Sequence, residues 1–123
     1  MTDFSELTGV ELASVTGLEV GSELVTFTAT DGRAWVMRHE QDCCETVDVN
    51  EIHGDVSDLI GSPILRAEEV ESEQNGGDNP GGAESWTWTF YKLATIKGEV
   101  VIRWLGESNG YYSESVYFSA VTQ

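Results

Sequence analysis

Residues 85–96 read Ser-Trp-Thr-Trp-Thr-Phe-Tyr-Lys-Leu-Ala-Thr-Ile, and their alternation decides the fold class. Trp86, Trp88 and Phe90 fall on one face of an extended chain and Thr87, Thr89 and Tyr91 on the other, the period of two that a β-strand requires. Lys97-Gly98 turns this segment into a second strand, Glu99 to Leu105, rich in β-branched residues. Asn109-Gly110 then leads into a third, Tyr111 to Val121. Together they predict a three-stranded antiparallel meander at the C-terminal end.

Upstream, Leu24 to Ala29 and Ala34 to Arg38 flank Asp31-Gly32, a strong hairpin signal. Val10 to Val20 has room for a strand, and Glu45 to Ile52 alternates imperfectly. Ser57 to Gly61 reads as a short helical turn, capped by Ser57, ended by Gly61 and stopped by Pro63. Residues 64–71 read as a strand that leaves the core as its glutamates accumulate. No long period-3.6 pattern occurs. The expectation is therefore a mainly β fold: a single-domain antiparallel sheet, meander or sandwich-like, with one or two short helical turns. Its core is expected around Phe27, Trp35, Trp88, Phe90, Ile102, Trp104 and Phe118. One domain over 1–123 is expected. Gln74 to Ala83 holds four Gly and one Pro without an apolar anchor before Ala83, so residues 74–84 are expected to form a flexible Gly-rich loop.

Composition narrows the function classes. The 123 residues include 22 Asp and Glu against six Lys and Arg, a formal net charge of −16. Such a field repels nucleic acid and anionic membrane and attracts cations and basic surfaces. Thirteen acidic residues lie between Glu40 and Glu84 against Arg66 alone. No apolar run approaches the roughly 18–20 residues of a membrane span. The first residues carry neither a basic nor an apolar leader pattern, so a cytosolic location is expected. Cys43 and Cys44 are adjacent, and neighbouring cysteines seldom reach disulfide geometry, so a reduced pair is expected.

The densest polar cluster is His39-Glu-Gln-Asp-Cys-Cys-Glu45, with His53 nearby. Thiolate and imidazole are the preferred zinc ligands, but structural sites space paired Cys by two to four residues, and adjacent Cys in a strand point to opposite faces. No metal or other cofactor is expected; one Cys reads as core and the other as lying with His39 at a strand end. A nucleophilic Cys activated by His39 or His53 is opposed by Glu40, Asp42 and Glu45, which disfavour a thiolate. Gly76-Gly77 and Gly81-Gly82 lack the strand, helix and Lys of a phosphate loop. The Gly106 to Tyr112 turn, with Tyr111 and Tyr112, reads as a hairpin turn or as a small-ligand grip.

The strings His39 to Glu45, Asp58-Leu-Ile-Gly-Ser-Pro-Ile-Leu65, Trp86-Thr-Trp-Thr-Phe-Tyr-Lys92 through Lys97, and Ile102-Arg-Trp-Leu-Gly-Glu-Ser-Asn-Gly-Tyr-Tyr-Ser-Glu114 resemble a family of small tailed-bacteriophage and prophage proteins, a domain with no assigned function. The resemblance runs from about Gly17 to Phe118. It implies a phage accessory protein made in the infected bacterial cytoplasm, and it carries no catalytic residues over.

These readings lead to a binding protein rather than an enzyme. Its acidic 40–84 region would engage a basic surface on a host defence or nucleic-acid-handling protein, with Glu68, Glu69, Glu71 and Glu73 as leading contacts and no direct contact with nucleic acid or membrane. A second class is a binder of a small nucleotide signal, in a pocket of His39, Glu40, Cys44, Tyr111 and Tyr112. That pocket would need Arg38, Arg66 or Arg103 to offset the net charge. A third is a minor virion or assembly component whose sheet edges pair between copies as a homo-oligomer.

Overall fold

The computed structural model describes residues 2–121. Eight strands form two four-stranded antiparallel sheets. The strands are β1 (Leu12–Thr16), β2 (Leu24–Ala29), β3 (Ala34–Arg38), β4 (Thr46–His53), β5 (Arg66–Glu71), β6 (Ser85–Thr95), β7 (Gly98–Ser108) and β8 (Tyr117–Ala120). One sheet has the order β1-β2-β3-β8 and the other β4-β7-β6-β5. The only helical pieces among the described residues are two short 3-10 turns, Phe4–Leu7 and Val56–Leu59. The mainly β expectation holds, and no described helix is long and apolar enough to cross a membrane.

The C-terminal meander is corrected in its third strand. β6 and β7 pair over their full length, but β8 starts only at Tyr117 and crosses to the other sheet, where Phe118 lies opposite Met37 of β3. Residues 109–116 are spent on that crossing, not on a hairpin.

The core lies between the sheets. Its buried side chains include Val25, Phe27, Trp35 and Met37 from one sheet and Val47, Val49, Tyr91, Leu93, Ile102 and Trp104 from the other. Phe4, from the N-terminal 3-10 turn, enters this layer and meets Tyr91 at 4.7 Å, Phe118 at 5.0 Å and Phe27 at 6.5 Å between ring centres, each edge to face. Asp3 caps the turn by accepting from the Ser5 N–H. The second 3-10 turn is capped in the same way by Asp55, not by Ser57.

The faces of β6 are the reverse of the sequence expectation. Tyr91 and Leu93 are fully buried in the core, whereas Phe90 is only half-buried and Trp88, although buried, packs on the opposite face. The reason lies in what each face meets. Inward Thr87 donates to the buried Glu114 carboxylate at 2.7 Å, and inward Thr95 donates to the Asp58 carbonyl at 2.5 Å, so the threonine face is satisfied inside. Outward Trp88 is covered by the guanidinium of Arg103, 4.2 Å above its ring. A bulge between Val49 and Glu51 in β4 turns Glu51 outward, and its carboxylate holds Arg103 at 3.3 Å.

Candidate functional site

Three of the four sheet edges are closed by backbone hydrogen bonds from loops. Gly21 N–H donates to the Val49 carbonyl on β4, Thr2 N–H to the Phe118 carbonyl on β8, and Gly61 N–H to the Leu12 carbonyl on β1. The fourth edge is β5. Its Ser72 neighbour donates from N–H to the Trp88 carbonyl at 2.8 Å. Hydrogen-bonded and non-hydrogen-bonded pairs alternate along an antiparallel ladder, so Val70 and Glu68 bond inward to β6. Ala67, Glu69 and Glu71 therefore turn their N–H and C=O groups away from the sheet.

Beside that edge lies a cleft of about 640 Å³, walled by Thr2, Asp3, Phe4 and Ser5 on one side and by Ala67, Glu68, Glu69 and Glu71 on the other. Burial raises the pKa of Glu69, and the nearby Glu71 and Asp3 carboxylates raise it further. Among the described residues no cation lies within ion-pair distance of Glu69 or Glu71. Glu68 differs. It sits on the other face of the strand, where Arg66 donates to it at 2.6 Å and holds its carboxyl below the usual range. Glu73 lies beyond the strand, in a turn closed by Gly76 N–H donating to its carbonyl at 2.9 Å. The four glutamates expected as one contact set thus divide, and the structure adds Asp3, whose cap motif Asp3-x-Ser5 was the available signal.

The His39 to Glu45 segment is a loop wound around the Glu45 carboxylate. That carboxylate accepts from His39 Nε2 at 2.9 Å, Cys43 N–H at 2.8 Å, Asp42 N–H at 3.1 Å and the Gln41 amide at 3.1 Å. His39 Nδ1 donates to the Ser115 carbonyl at 2.6 Å. Both ring nitrogens thus face oxygen atoms, and His39 ties the Glu45 carboxylate to the Ser115 backbone. These donors, His39 first, hold the Glu45 carboxyl down at about 2.

The reduced-cysteine expectation is corrected: Cys43 and Cys44 are bonded to each other, and both are exposed. They sit in a turn rather than a strand, so their side chains are not sent to opposite faces, and neither is core. A pocket of about 400 Å³ beside the loop is lined by Glu23, Leu24, Arg38, His39, Gln41, Glu45 and Val47. Of the alternative ligand set, only His39 lines it. Glu40 and Cys44 are exposed, and Tyr111 is 83 % exposed, its ring 5.1 Å from that of Tyr112. The link between the two segments is structural, through His39 and Ser115. Among the described residues no group of three or more His, Cys, Asp or Glu is placed to hold a metal ion.

The 74–83 segment folds over the outer face of β6. Trp88 Nε1 donates to the Asp78 carbonyl at 2.8 Å and Trp86 Nε1 to the Gly76 carbonyl at 3.0 Å. Gly77, at φ 72°, lies against the Trp88 ring, where a side chain would be both strained and crowded. The anchors of this loop are thus indoles supplied by the strand, which a reading of the loop's own residues misses.

The chain belongs to the family of the domain of unknown function DUF7448, which matches residues 6–118. No curated protein and no solved structure matches it.

Proposed function

We propose that this chain is a phage-encoded accessory protein that acts in the infected bacterial cytoplasm by binding, through its acidic β5 edge, a basic surface on a host defence or nucleic-acid-handling protein. The observation that carries this reading is the cleft beside β5, which Asp3, Glu69 and Glu71 line and where no cation among the described residues lies within ion-pair distance of Glu69 or Glu71. Their mutual repulsion, which adds to burial in raising Glu69, is relieved when a basic partner docks. In such a complex the carboxylates stand where backbone phosphates would stand in the partner's groove. The phage and host elements of the proposal come from the sequence resemblance. The test is to cross-link the protein in its bacterial host, purify the partner and reconstitute the pair. Glu69→Lys with Glu71→Lys should abolish the complex and high salt should weaken it; a reconstituted complex indifferent to both would remove the acidic edge from the function.

A second reading, a binder of a small anionic ligand, draws on Arg38, which lines the pocket beside His39 and Gln41 and so supplies the cation that the net charge otherwise denies. Titration with nucleotides, followed at the Arg38 and Gln41 side-chain resonances, separates it from the first.

A further inference from the structure

Two features mark the outer edge of β5: the charge that guards it and the residue buried beside it. Natural sheets blunt free edges with charge, proline or a covering loop, because unpaired N–H and C=O groups template the addition of another strand. Here charge is the device, and it is predominantly of one sign: Glu68, Glu69 and Glu71 lie within a six-residue strand that contains no proline and one cation, Arg66, which is paired with Glu68. Like charges placed directly opposite each other destabilise a strand pair, so this edge rejects a second copy of a chain carrying −16 and remains open to a basic strand.

The second feature is Tyr91. It lies directly opposite Glu69 in the β5–β6 register, in a non-hydrogen-bonded pair, where side chains approach most closely. Its ring packs against Phe4, which together with Glu69 walls the cleft. Its hydroxyl is buried without a hydrogen-bond partner. Burial, then Glu69 and Glu71, keep its proton on. Behind Phe4 and beneath Glu69, the core next to this edge therefore keeps a polar group with no hydrogen-bond partner among the described residues.

We propose that the outer edge of β5 receives an extended segment of a partner protein as a fifth strand, with Lys or Arg at alternate positions facing Glu69, Glu71 and Asp3. This rests on the basic-partner reading above and adds the conformation and register of what binds. Alternate residues of a strand are about 6.6–6.8 Å apart, the same spacing that separates Glu69 from Glu71, so each basic side chain meets one carboxylate. The backbone groups of Ala67, Glu69 and Glu71 supply main-chain bonds, and the carboxylates select the side chains.

The experiment uses the full chain and three synthetic peptides of equal charge: one alternating Lys and Thr, the same peptide N-methylated at alternate residues to remove its edge-facing N–H groups, and an isomer with its lysines in one block. The alternating peptide should bind tightest and should slow hydrogen exchange at the Glu69 and Glu71 amides. Loss of two or more main-chain bonds should weaken the N-methylated peptide about tenfold or more. Equal binding of the alternating and N-methylated peptides, or unchanged exchange at Glu69 and Glu71, would overturn strand addition and leave the basic-partner reading standing on charge alone. Failure of all three peptides to bind would overturn both.

Discussion

The imidazole of His39 and the carboxylate of Glu45 meet at 2.9 Å with both side chains shut away from solvent. Every other group facing Glu45 is a donor: the Gln41 amide and the N–H groups of Asp42 and Cys43. Its folded pKa of about 2 lies below the ordinary 4.5. A depressed carboxyl contributes stability that is fully present above the unfolded value and lost as pH falls through the folded one. The loop should therefore loosen between about pH 4.5 and 2, and Glu45→Gln should flatten the stability profile in that window while lowering the melting temperature at neutral pH. Thermal unfolding of both proteins across the acid range checks this. An unchanged profile would mean that the pair does not anchor the loop.

The indole anchors of the 74–83 loop give a second expectation. Trp88→Phe keeps a ring under Arg103 but removes the N–H that serves the Asp78 carbonyl, a loss of roughly 0.5–1.5 kcal/mol of local stability. Limited proteolysis between Gly76 and Gly82 should quicken severalfold, with the global melting temperature nearly constant. Equal cleavage rates in the two proteins would show that the indole does not hold the segment.

Phe4 closes the core from outside both sheets, touching Tyr91, Phe118 and Phe27. Phe4→Ala leaves a cavity among three aromatic rings and should cost about 3–5 kcal/mol, a large share of the stability of a domain this size. Denaturant unfolding measures it. A loss under about 1 kcal/mol would place the N-terminal turn outside the folded unit.

Strands with strict alternation and clear turn dipeptides were legible: β2, β3, β6 and β7 lie where their period of two puts them. Which face of β6 enters the core was not, because the pattern separates Trp86, Trp88 and Phe90 from Thr87, Thr89 and Tyr91 without saying which set is inside. Buried Glu114 and the Asp58 carbonyl, far away in sequence, give the threonines their partners and settle the matter. The destination of β8 was hidden for a similar reason. Asn109-Gly110 signals a turn, but the Glu114 carboxylate, accepting from Thr87 and from Ser108 at 2.5 Å, ties residues 109–116 down as a crossing. For the site, the acidic run at 68–73 was visible, whereas its division by strand face, the capture of Glu68 by Arg66 and the contribution of Asp3 arise only from tertiary placement.

Gly106 stands where that crossing passes closest to β7. A methyl group added there would overlap the carbonyl oxygen and Cβ of Glu114, both parts of a segment fixed by Thr87 and Ser108. Gly106→Ala should destabilise by about 1–3 kcal/mol through overpacking and should broaden the resonances of Tyr111 and Tyr112. A neutral effect in denaturant unfolding would show that the 109–116 segment yields freely.

The last expectation separates the glutamates of β5 by face. Glu68 is already served by Arg66 on the outer face, whereas Glu69 and Glu71 line the cleft with no cation among the described residues in ion-pair reach. Glu68→Ala should therefore weaken binding of a basic partner less than loss of Glu69 or Glu71 does, because Arg66 already neutralises the Glu68 carboxylate. Glu71→Ala removes a carboxylate whose field draws the partner in, and Glu69→Ala does the same while removing the carboxylate that Glu71 and Asp3 repel. Both should slow association more than they speed dissociation where the contact stays solvated, and salt should reproduce the effect on the unmutated protein, since screening confines exposed charges to about 8 Å at physiological ionic strength. The fold should survive all three changes, as exposed substitutions usually cost less than about 0.5 kcal/mol. Association kinetics of each variant with the purified partner or with the alternating Lys peptide decide it. Equal losses at Glu68 and Glu71 would mean that total charge, not the face of β5 that carries it, governs binding.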